Sequence, residues 1–310
     1  MPRPIRLAGS LAVLMALTLT ATGCGSSPNT SAKVPLVLYA AEGYDMAMGT
    51  AFQAATGIQV KVDDDSTGPL ITKIEAEKNN PQWDLFWADG DQEFATFDTQ
   101  NILLKNWEPT VSYNSLGTSL LPQDKSYVPT GVTMACALVY DTQTVSNPPT
   151  SWSALASSQY NGELGMNDPS VSGPTYPCVA GNMQRLGGVS QGEAYYTQLK
   201  QNGLHVYQTN TNTLQALQTG QIKLATIQSS AGIGAGLKTS AAIKVAYLNP
   251  ETVLPSVIGI DAKASSKAIS EAKQFIQYVL STTGQQVMQT GDQYGDSLYW
   301  PLINPNLRRL

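Results

Sequence analysis

The sequence predicts an α/β fold made of two lobes, and three observations lead to that prediction. Short apolar strands alternate with amphipathic helices from residue 34 onward, as in parallel sheets covered by helices on both faces. Polar turns follow several of these strands, where ligands bind in such sheets. Once an N-terminal leader is set aside, about 280 residues remain, which is more than one hydrophobic core usually serves.

The N-terminal segment is predicted to be a signal peptide over residues 1–23, followed by a flexible tether over residues 24–33. Arg3 and Arg6 precede an apolar run that is too short to span a bilayer. Small residues then lead to Cys24, and this pattern resembles the lipobox of bacterial lipoproteins, although Ala21 stands where leucine is usual. The resemblance implies that Cys24 carries lipid and anchors the chain to the outer face of the cell membrane. The alternative is an ordinary signal peptide that is cut nearby.

The charge balance argues against nucleic acid as a partner. The chain has 18 basic and 23 acidic residues, and removing residues 1–23 removes two arginines and no acid. The mature net charge is therefore 16 − 23 = −7, whereas nucleic-acid-binding domains are usually basic.

The remaining cysteines, Cys136 and Cys178, are predicted to form a disulfide, because an exported protein resides in an oxidising compartment. The alternative is a pair of buried free thiols. The sequence has no CxxC pair and a single histidine, His205, so neither a zinc site nor any cofactor is predicted.

The first lobe is predicted to begin with a parallel sheet whose loops meet on one rim. The order is strand, helix, strand, helix, strand: Val34–Tyr39, Asp45–Thr56, Ile58–Val62, a helix from Pro69, and Trp83–Trp87. The carboxyl ends of these strands carry Tyr39 and Glu42, then Asp65–Gly68, then Asp89. Free N–H groups at the helix start beside Ser66, Thr67 and Gly68 could hold an anion. The alternative is that Ser66 and Thr67 only cap the helix.

The second lobe is predicted to repeat this arrangement after a long extended run, Val128–Asp141, that crosses between the lobes. A strand near Leu164 leads through a polar loop, which contains Ser172 and Gly173, into a helix. The strand Lys223–Gln228 opens into Ser229–Gly236, which we interpret as a loop of glycines with positive φ. The expected lobe boundaries are residues 34–130 and 261–310 for the first lobe, and residues 131–260 for the second.

Several segments together resemble a family of bacterial extracellular solute-binding proteins of ABC importers, in the branch for iron(III), 2-aminoethylphosphonate and related small anions. They are LVLYAAEG, DDDSTGPLITKIEAEKNNPQWDLFWADG, PTSWSAL, DPSVSGPTYPCVAGNMQRLGG and AKQFIQYVLSTTGQQVM. The resemblance implies a type II periplasmic-binding fold with a ligand cleft between two lobes. It also implies a monomer that delivers its solute to a membrane permease and is not an enzyme.

Two departures from this family matter. Iron-binding members place a histidine after the first strand and a pair of tyrosines after the strand that matches KLATIQ. Here the two regions read Ala40-Ala41-Glu42-Gly43 and Gln228-Ser229-Ser230, so phenolate ligation of iron is not expected. In the second polar loop, Pro174 stands where a hydroxyl residue is usual, so either Thr175 substitutes for it or this lobe binds the solute less tightly than is usual in the family.

The sequence therefore favours a small anionic solute, such as a phosphonate or phosphate ester. A cationic or neutral solute (polyamine or thiamine-like) and iron(III) remain alternatives, while a secreted hydrolase is disfavoured because no GxSxG motif accompanies His205. The candidate ligand residues are Tyr39, Glu42, Asp65, Ser66, Thr67, Gly68, Asp89, Ser172, Gly173, Thr175, Gln228, Ser229 and Ser230.

Overall fold

The computed structural model describes residues 34–239 and 242–303. The predicted signal peptide, the predicted tether and Cys24 lie outside these ranges. Within the described ranges, no helix combines the length and the apolar character needed to cross a membrane.

Strands and helices alternate along most of the described chain. The strands are β1 Leu36–Ala40, β2 Val60–Asp64, β3 Leu85–Asp89, β4 Tyr127–Met134, β5 Ala137–Asp141, β6 Leu164–Asn167, β7 His205–Tyr207, β8 Leu224–Ile227, β9 Ile243–Ala246, β10 Val253–Ile260 and β11 Trp300–Pro301. The helices are α1 Asp45–Thr56, α2 Thr67–Glu77, α3 Gln92–Thr99, α4 Ser115–Leu120, α5 Trp152–Leu155, α6 Thr175–Arg185, α7 Val189–Gln201, α8 Asn210–Gln218, α9 Ser229–Lys238, α10 Ser266–Val279 and α11 Thr282–Thr290.

The first sheet has six strands in the order β11-β4-β10-β3-β1-β2. β1 runs parallel to β2 and β3, as predicted. β10 pairs with β3 on one side and with β4 on the other, and both pairings are antiparallel. Alternate residues of the strands face opposite sides, so Leu38 and Trp87 belong to one buried cluster while Tyr39 and Phe86 belong to another.

The second sheet has five strands in the order β7-β6-β8-β5-β9. β6 runs parallel to β7 and β8, and β5 runs antiparallel to β8 and β9. Each sheet has its own buried apolar clusters, which defines two α/β lobes.

Two short segments connect the lobes. Residues 135–136 join β4 to β5, residues 247–252 join β9 to β10, and the Ala135 N–H donates to the Thr252 carbonyl oxygen at 2.9 Å. The expected boundaries at 130/131 and 260/261 cut β4 and leave β10 in the second lobe, although both strands pair in the first sheet. We propose that the lobes divide near residues 135 and 252 instead, at these connections.

The glycine-rich segment after β8 is a helix, so the prediction of a loop with positive φ was wrong. None of Gly232, Gly234 and Gly236 is among the described glycines with positive φ. These glycines allow close packing instead: a Cβ on Gly232 would lie 2.5 Å from Val139 and 2.8 Å from Val245. The absence of a side chain, rather than backbone freedom, is what this helix requires.

The structure joins Cys136 to Cys178 by a disulfide. Cys136 lies in the connection between β4 and β5, and Cys178 lies in α6. Both residues are buried. The bridge therefore ties the segment that connects the lobes to the helix that follows the second polar loop.

Candidate functional site

A cleft of about 470 Å³ lies where the loops of the two lobes meet, and we call it the first chamber. The lining residues of the first lobe are Ala41, Ser66, Thr67, Asp89 and Asp296. Those of the second lobe are Ser172, Gly173, Pro174, Gln208, Thr209, Asn210, Thr211 and Gln228.

Chain topology explains why these residues meet. Asp89 is the last residue of β3, Ser66 follows β2, and Gln228 follows β8. The carboxyl ends of parallel strands lie on one rim, and each lobe turns that rim toward the other.

Six of the predicted ligand residues line the first chamber: Ser66, Thr67, Asp89, Ser172, Gly173 and Gln228. Two others lie elsewhere. Tyr39 is buried in the core of the first lobe, where its hydroxyl donates to the Glu77 carboxylate at 3.0 Å. Asp65 is exposed, and its carboxylate accepts from the Ser66 N–H at 2.7 Å.

The other predicted residues lie behind the lining or between the lobes. Ser229 Oγ lies 2.7 Å from Thr133 Oγ1 and accepts from the Met134 N–H, so it connects α9 to β4. Ser230 Oγ accepts from Gln228 Nε2 at 2.8 Å. Glu42 and Thr175 are buried, and Gly68 packs directly against the opposite lobe.

The two polar loops contact each other at one end of the cleft. The Gly68 N–H donates to the Val171 carbonyl oxygen at 3.1 Å, across the lobes. Pro69 has no N–H, and the Leu70 N–H donates to the Ser66 carbonyl oxygen at 3.2 Å. Most amides that an anion would need at the start of α2 are therefore already engaged.

The second polar loop is similar. The Ser172 N–H donates to the Asp168 carbonyl oxygen, and the Thr175 N–H donates to the Ser172 carbonyl oxygen. Pro174 has no N–H to donate. The hydroxyls of the two loops remain the main polar groups that these segments offer to a solute.

A chain of side-chain donors crosses the cleft and ends on Asp89. Asn210 Nδ2 donates to Gln228 Oε1 at 3.3 Å, and Gln228 Nε2 donates to the Tyr299 hydroxyl at 2.7 Å. The Tyr299 hydroxyl in turn donates to Asp89 Oδ1. Every step points toward the carboxylate, so the chain orients Asp89 and connects it to the second lobe.

Acidic groups without basic neighbours define the charge of the first chamber. Burial raises the pKa of Asp89 well above its ordinary value, Asp296 raises it further, and the Tyr299 hydrogen bond opposes both effects. Burial and then Asp292 raise the pKa of Asp296 to about 6. Among the residues that the structure describes, no lysine or arginine lines this chamber.

Glu42 adds a third acid directly behind the lining. Ser256 Oγ donates to Glu42 Oε1 at 2.7 Å and accepts from Trp87 Nε1 at 2.7 Å. Burial raises the pKa of Glu42 well above its ordinary value, and the Asp89 carboxylate adds to this rise. Three acids thus share one region of low polarity, where a positive charge would stabilise all of them.

The sequence analysis missed Asn210 and Asp296, which line the first chamber. Asn210 follows a strand in the same way as Ser172 and Gln228, so the rule about strand ends could have found it. Asp296 lies in a turn after α11, far from any strand end of the predicted sheets, and the sequence carries no signal for it.

The acids do not form a metal site. Across residues 34–239 and 242–303, no group of three or more histidine, cysteine, aspartate or glutamate side chains is arranged to hold a metal ion. The chamber offers carboxylates, amides and hydroxyls at separate points, which suits hydrogen bonding to an organic solute.

Two α/β lobes with a polar cleft at their facing rims define the class of type II periplasmic-binding proteins. The family model described as bacterial extracellular solute-binding protein matches residues 47–301, and the chain belongs to this family. Among curated proteins compared by sequence, none matches the chain significantly.

Solved structures share the fold at low identity. Iron-bound HitA from Pseudomonas aeruginosa is 21% identical with a TM-score of 0.73, and the match covers 89% of this chain and 90% of that one. A periplasmic thiamin binding protein is 18% identical with a TM-score of 0.75, covering 89% and 86%. AfuA from Actinobacillus pleuropneumoniae, with fructose-6-phosphate bound, is 18% identical with a TM-score of 0.71, covering 87% and 85%.

Proposed function

We propose that the protein is the solute-binding component of an ABC importer and that its solute carries a positively charged nitrogen. One observation carries the second part: Asp89 and Asp296 line the first chamber, with Glu42 buried behind them, and no basic side chain of the described residues lines it. A protonated amine would pair with these acids and offset the unfavourable burial of their charge.

The sequence-based expectation of an anionic solute is the second candidate, and the hydroxyls of Ser66, Thr67 and Ser172 favour it. These groups lie at the end of the cleft where the polar loops meet. They could bind the oxygens of a solute whose amine lies at the acidic end. An oxyanion alone would face two acids and few free amides, so we place it second.

The solved structures are consistent with either candidate. Proteins with this fold include an iron-bound protein, a thiamin binding protein, a protein with fructose-6-phosphate bound, and the substrate-binding protein of a spermidine/putrescine transporter. The fold is therefore compatible with several chemistries, and the choice rests on the side chains that line this cleft.

We also propose that the protein works outside the cytoplasm, held to the membrane by a lipid on Cys24, and passes its solute to a permease as a monomer. The family membership supports an extracytoplasmic location. We propose no catalytic step, no cofactor and no nucleic-acid partner, because the lining offers binding groups rather than an activated nucleophile.

Native mass spectrometry tests the proposed solute class. The mature protein is incubated with a small-molecule extract of a bacterial culture, and any bound molecule is released and identified. We expect a molecule with a basic nitrogen, and we expect the Asp89→Asn variant to retain little of it. A phosphate or phosphonate without a basic nitrogen, retained by both forms but lost from Thr67→Ala and Ser172→Ala, would favour the second candidate.

A further inference from the structure

A second chamber of about 870 Å³ adjoins the first. The two chambers share Asn210, Thr211 and Asp296 as lining residues, so they meet at these three residues. Asn210 Nδ2 lies 3.5 Å from Asp296 Oδ2, which is at the weak limit of a hydrogen bond. Asp296 Oδ1 is buried against Gly43, while the Asp296 side chain lines both chambers. A solute that spans both chambers would therefore meet this carboxylate at their boundary.

The walls of the second chamber differ from those of the first. Leu214 on α8 and Ala231 and Ala235 on α9 line it, and the two alanines lie one turn apart on the same helix face. Tyr294 lines the same chamber from the turn that carries Asp296. This turn packs closely on α9, because a Cβ on Gly234 would lie 2.2 Å from the Gly295 carbonyl oxygen.

The second chamber is lined by one basic and two acidic side chains. They are Lys238, Asp292 and Asp296, and Lys238 forms no ion pair with any acid that the structure describes. The lining therefore carries one net negative charge when both acids are ionised, and an ammonium group beside Asp296 would offset it. Away from Asp296, the side chains of Leu214, Ala231 and Ala235 favour hydrocarbon.

We infer that the solute is elongated: its ammonium group lies beside Asp296 at the boundary between the chambers, and its hydrocarbon body lies in the second chamber. This inference rests on the proposed function, because it uses the same acids to hold the amine. It adds a length requirement that the first chamber alone would not impose. It also assigns Leu214, Ala231 and Ala235 as residues that determine specificity.

Calorimetry with primary n-alkylamines from ethyl to octyl tests the inference on the mature protein. Each buried methylene contributes about 0.8 kcal/mol, which corresponds to about a fourfold gain in affinity. We expect the affinity to rise by about this factor per carbon and to level off once the chamber is filled. Gln215→Trp, at an exposed position of α8 that lines the second chamber, should flatten the rise and leave ethylamine binding unchanged. Gln201→Trp, at an exposed position of α7, is the matched control and should behave like the wild type.

The outcomes separate the inference from the proposed function. One outcome is that short amines bind the wild type and lose affinity in Asp89→Asn, but that affinity does not depend on chain length. It would support the proposed function, and it would overturn the inference that the second chamber holds the hydrocarbon body. A length dependence that survives equally in Gln215→Trp and Gln201→Trp would also overturn it, because the methylenes would then be buried elsewhere. Failure of every amine to bind would overturn both.

Discussion

Asp89 shows how one residue connects the sequence to the site. It ends a fully buried strand, so the same topology that places it on the rim also removes it from water. Tyr299 and Gln228 then fix its orientation from both lobes. Burying a charged carboxylate is unfavourable unless an opposite charge or hydrogen bonds offset the loss of water. We propose that the positively charged nitrogen of the solute offsets it in this chain.

Asp45 provides a test of the acidic region that does not involve the solute. It is buried, its Oδ2 has no hydrogen-bond partner within the described residues, and burial together with Asp64 raises its pKa to about 7. The folded protein therefore holds a proton that the unfolded chain releases above about pH 4. The free energy of unfolding should fall as the pH rises from about 4 to about 7.

Asp45→Asn should remove part of this pH dependence. At pH 8 the variant should be more stable than the wild type by up to about 4 kcal/mol, since one pKa unit corresponds to about 1.4 kcal/mol. At pH 4 the two should be nearly equal. Urea denaturation at both pH values measures the difference, with the exposed Asp65→Asn as control. Equal stability of Asp45→Asn and wild type at pH 8 would show that ionisation of Asp45 does not destabilise the folded protein.

At the residue level, the sequence could predict the cleft residues that directly follow strands, and it could not predict their burial or their neighbours. Tyr39 illustrates the limit. It lies one residue from the end of β1, but the alternation of the strand turns its side chain to the core and toward Glu77. Asp296 illustrates the opposite case, since only the packing of a distant turn brings it to the cleft.

At the element level, two glycines allow the polar loops of opposite lobes to touch. A Cβ on Gly68 would lie 2.3 Å from the Ser170 carbonyl oxygen, and a Cβ on Gly173 would lie 2.5 Å from Thr67 Oγ1. Neither distance is compatible with the observed contact. The glycines are therefore required for the approach of the lobes rather than for the fold of either lobe.

Gly68→Ala should separate the lobes without destabilising the protein. Alanine is the better helix former by about 1 kcal/mol, and Gly68 lies inside α2. We expect a larger radius of gyration in small-angle X-ray scattering and an unfolding temperature equal to or above that of the wild type. Gly173→Ala, made in the other lobe, should enlarge the molecule in the same way. An unchanged radius of gyration in both variants would rule out this role for the glycines.

The disulfide should be present in the exported protein. Cys136 and Cys178 are 42 residues apart, and closing a loop of that length contributes about 4 kcal/mol to the free energy of unfolding in the chain-entropy model. Peptide mapping without reduction should recover the two cysteines in one linked pair. Two thiols that react with an alkylating agent in the native protein would refute this prediction.

Most elements could be predicted from periodicity and helix ends. α1 has the predicted bounds because Gly57, with φ of 73°, ends it as glycine commonly does. α9 could not be recognised, because three glycines in ten residues oppose helix formation locally. Only tertiary packing explains them: Gly232 packs against Val139 and Val245, Gly234 against Gly295, and Gly236 against Ile243. The small strand β9 and the helices α3 and α4 lacked a clear apolar period and were not predicted.

At the scale of the whole molecule, the two lobes and the family membership agree with the fold that the order of elements predicts. The order of elements does not determine the class of solute. The chain carries a formal net charge of −5, and those of its charges that lie on the surface are screened within about 8 Å at physiological salt. The acids inside the cleft are screened far less, so we propose that they determine the charge of the solute.

The proposed membrane attachment concerns the whole chain and depends on one residue, Cys24. Cys24→Ala should leave the signal peptide uncut or release the protein from the membrane fraction. Cell fractionation with immunoblotting measures this, and Ser26→Ala in the tether is the control. A mature variant that remains bound to the membrane would show that the anchor is not a lipid on Cys24.

The most direct test of the central claim is calorimetry with solute pairs that differ in the positively charged nitrogen: putrescine against 1,4-butanediol, and 2-aminoethylphosphonate against ethylphosphonate. In each pair we expect binding only by the member with the amine. A hydrogen bond to a charged group contributes about 1.5–3 kcal/mol, so Asp89→Asn should weaken that binding by about 10- to 150-fold. Equal or tighter binding of ethylphosphonate, unaffected by Asp89→Asn, would contradict the claim.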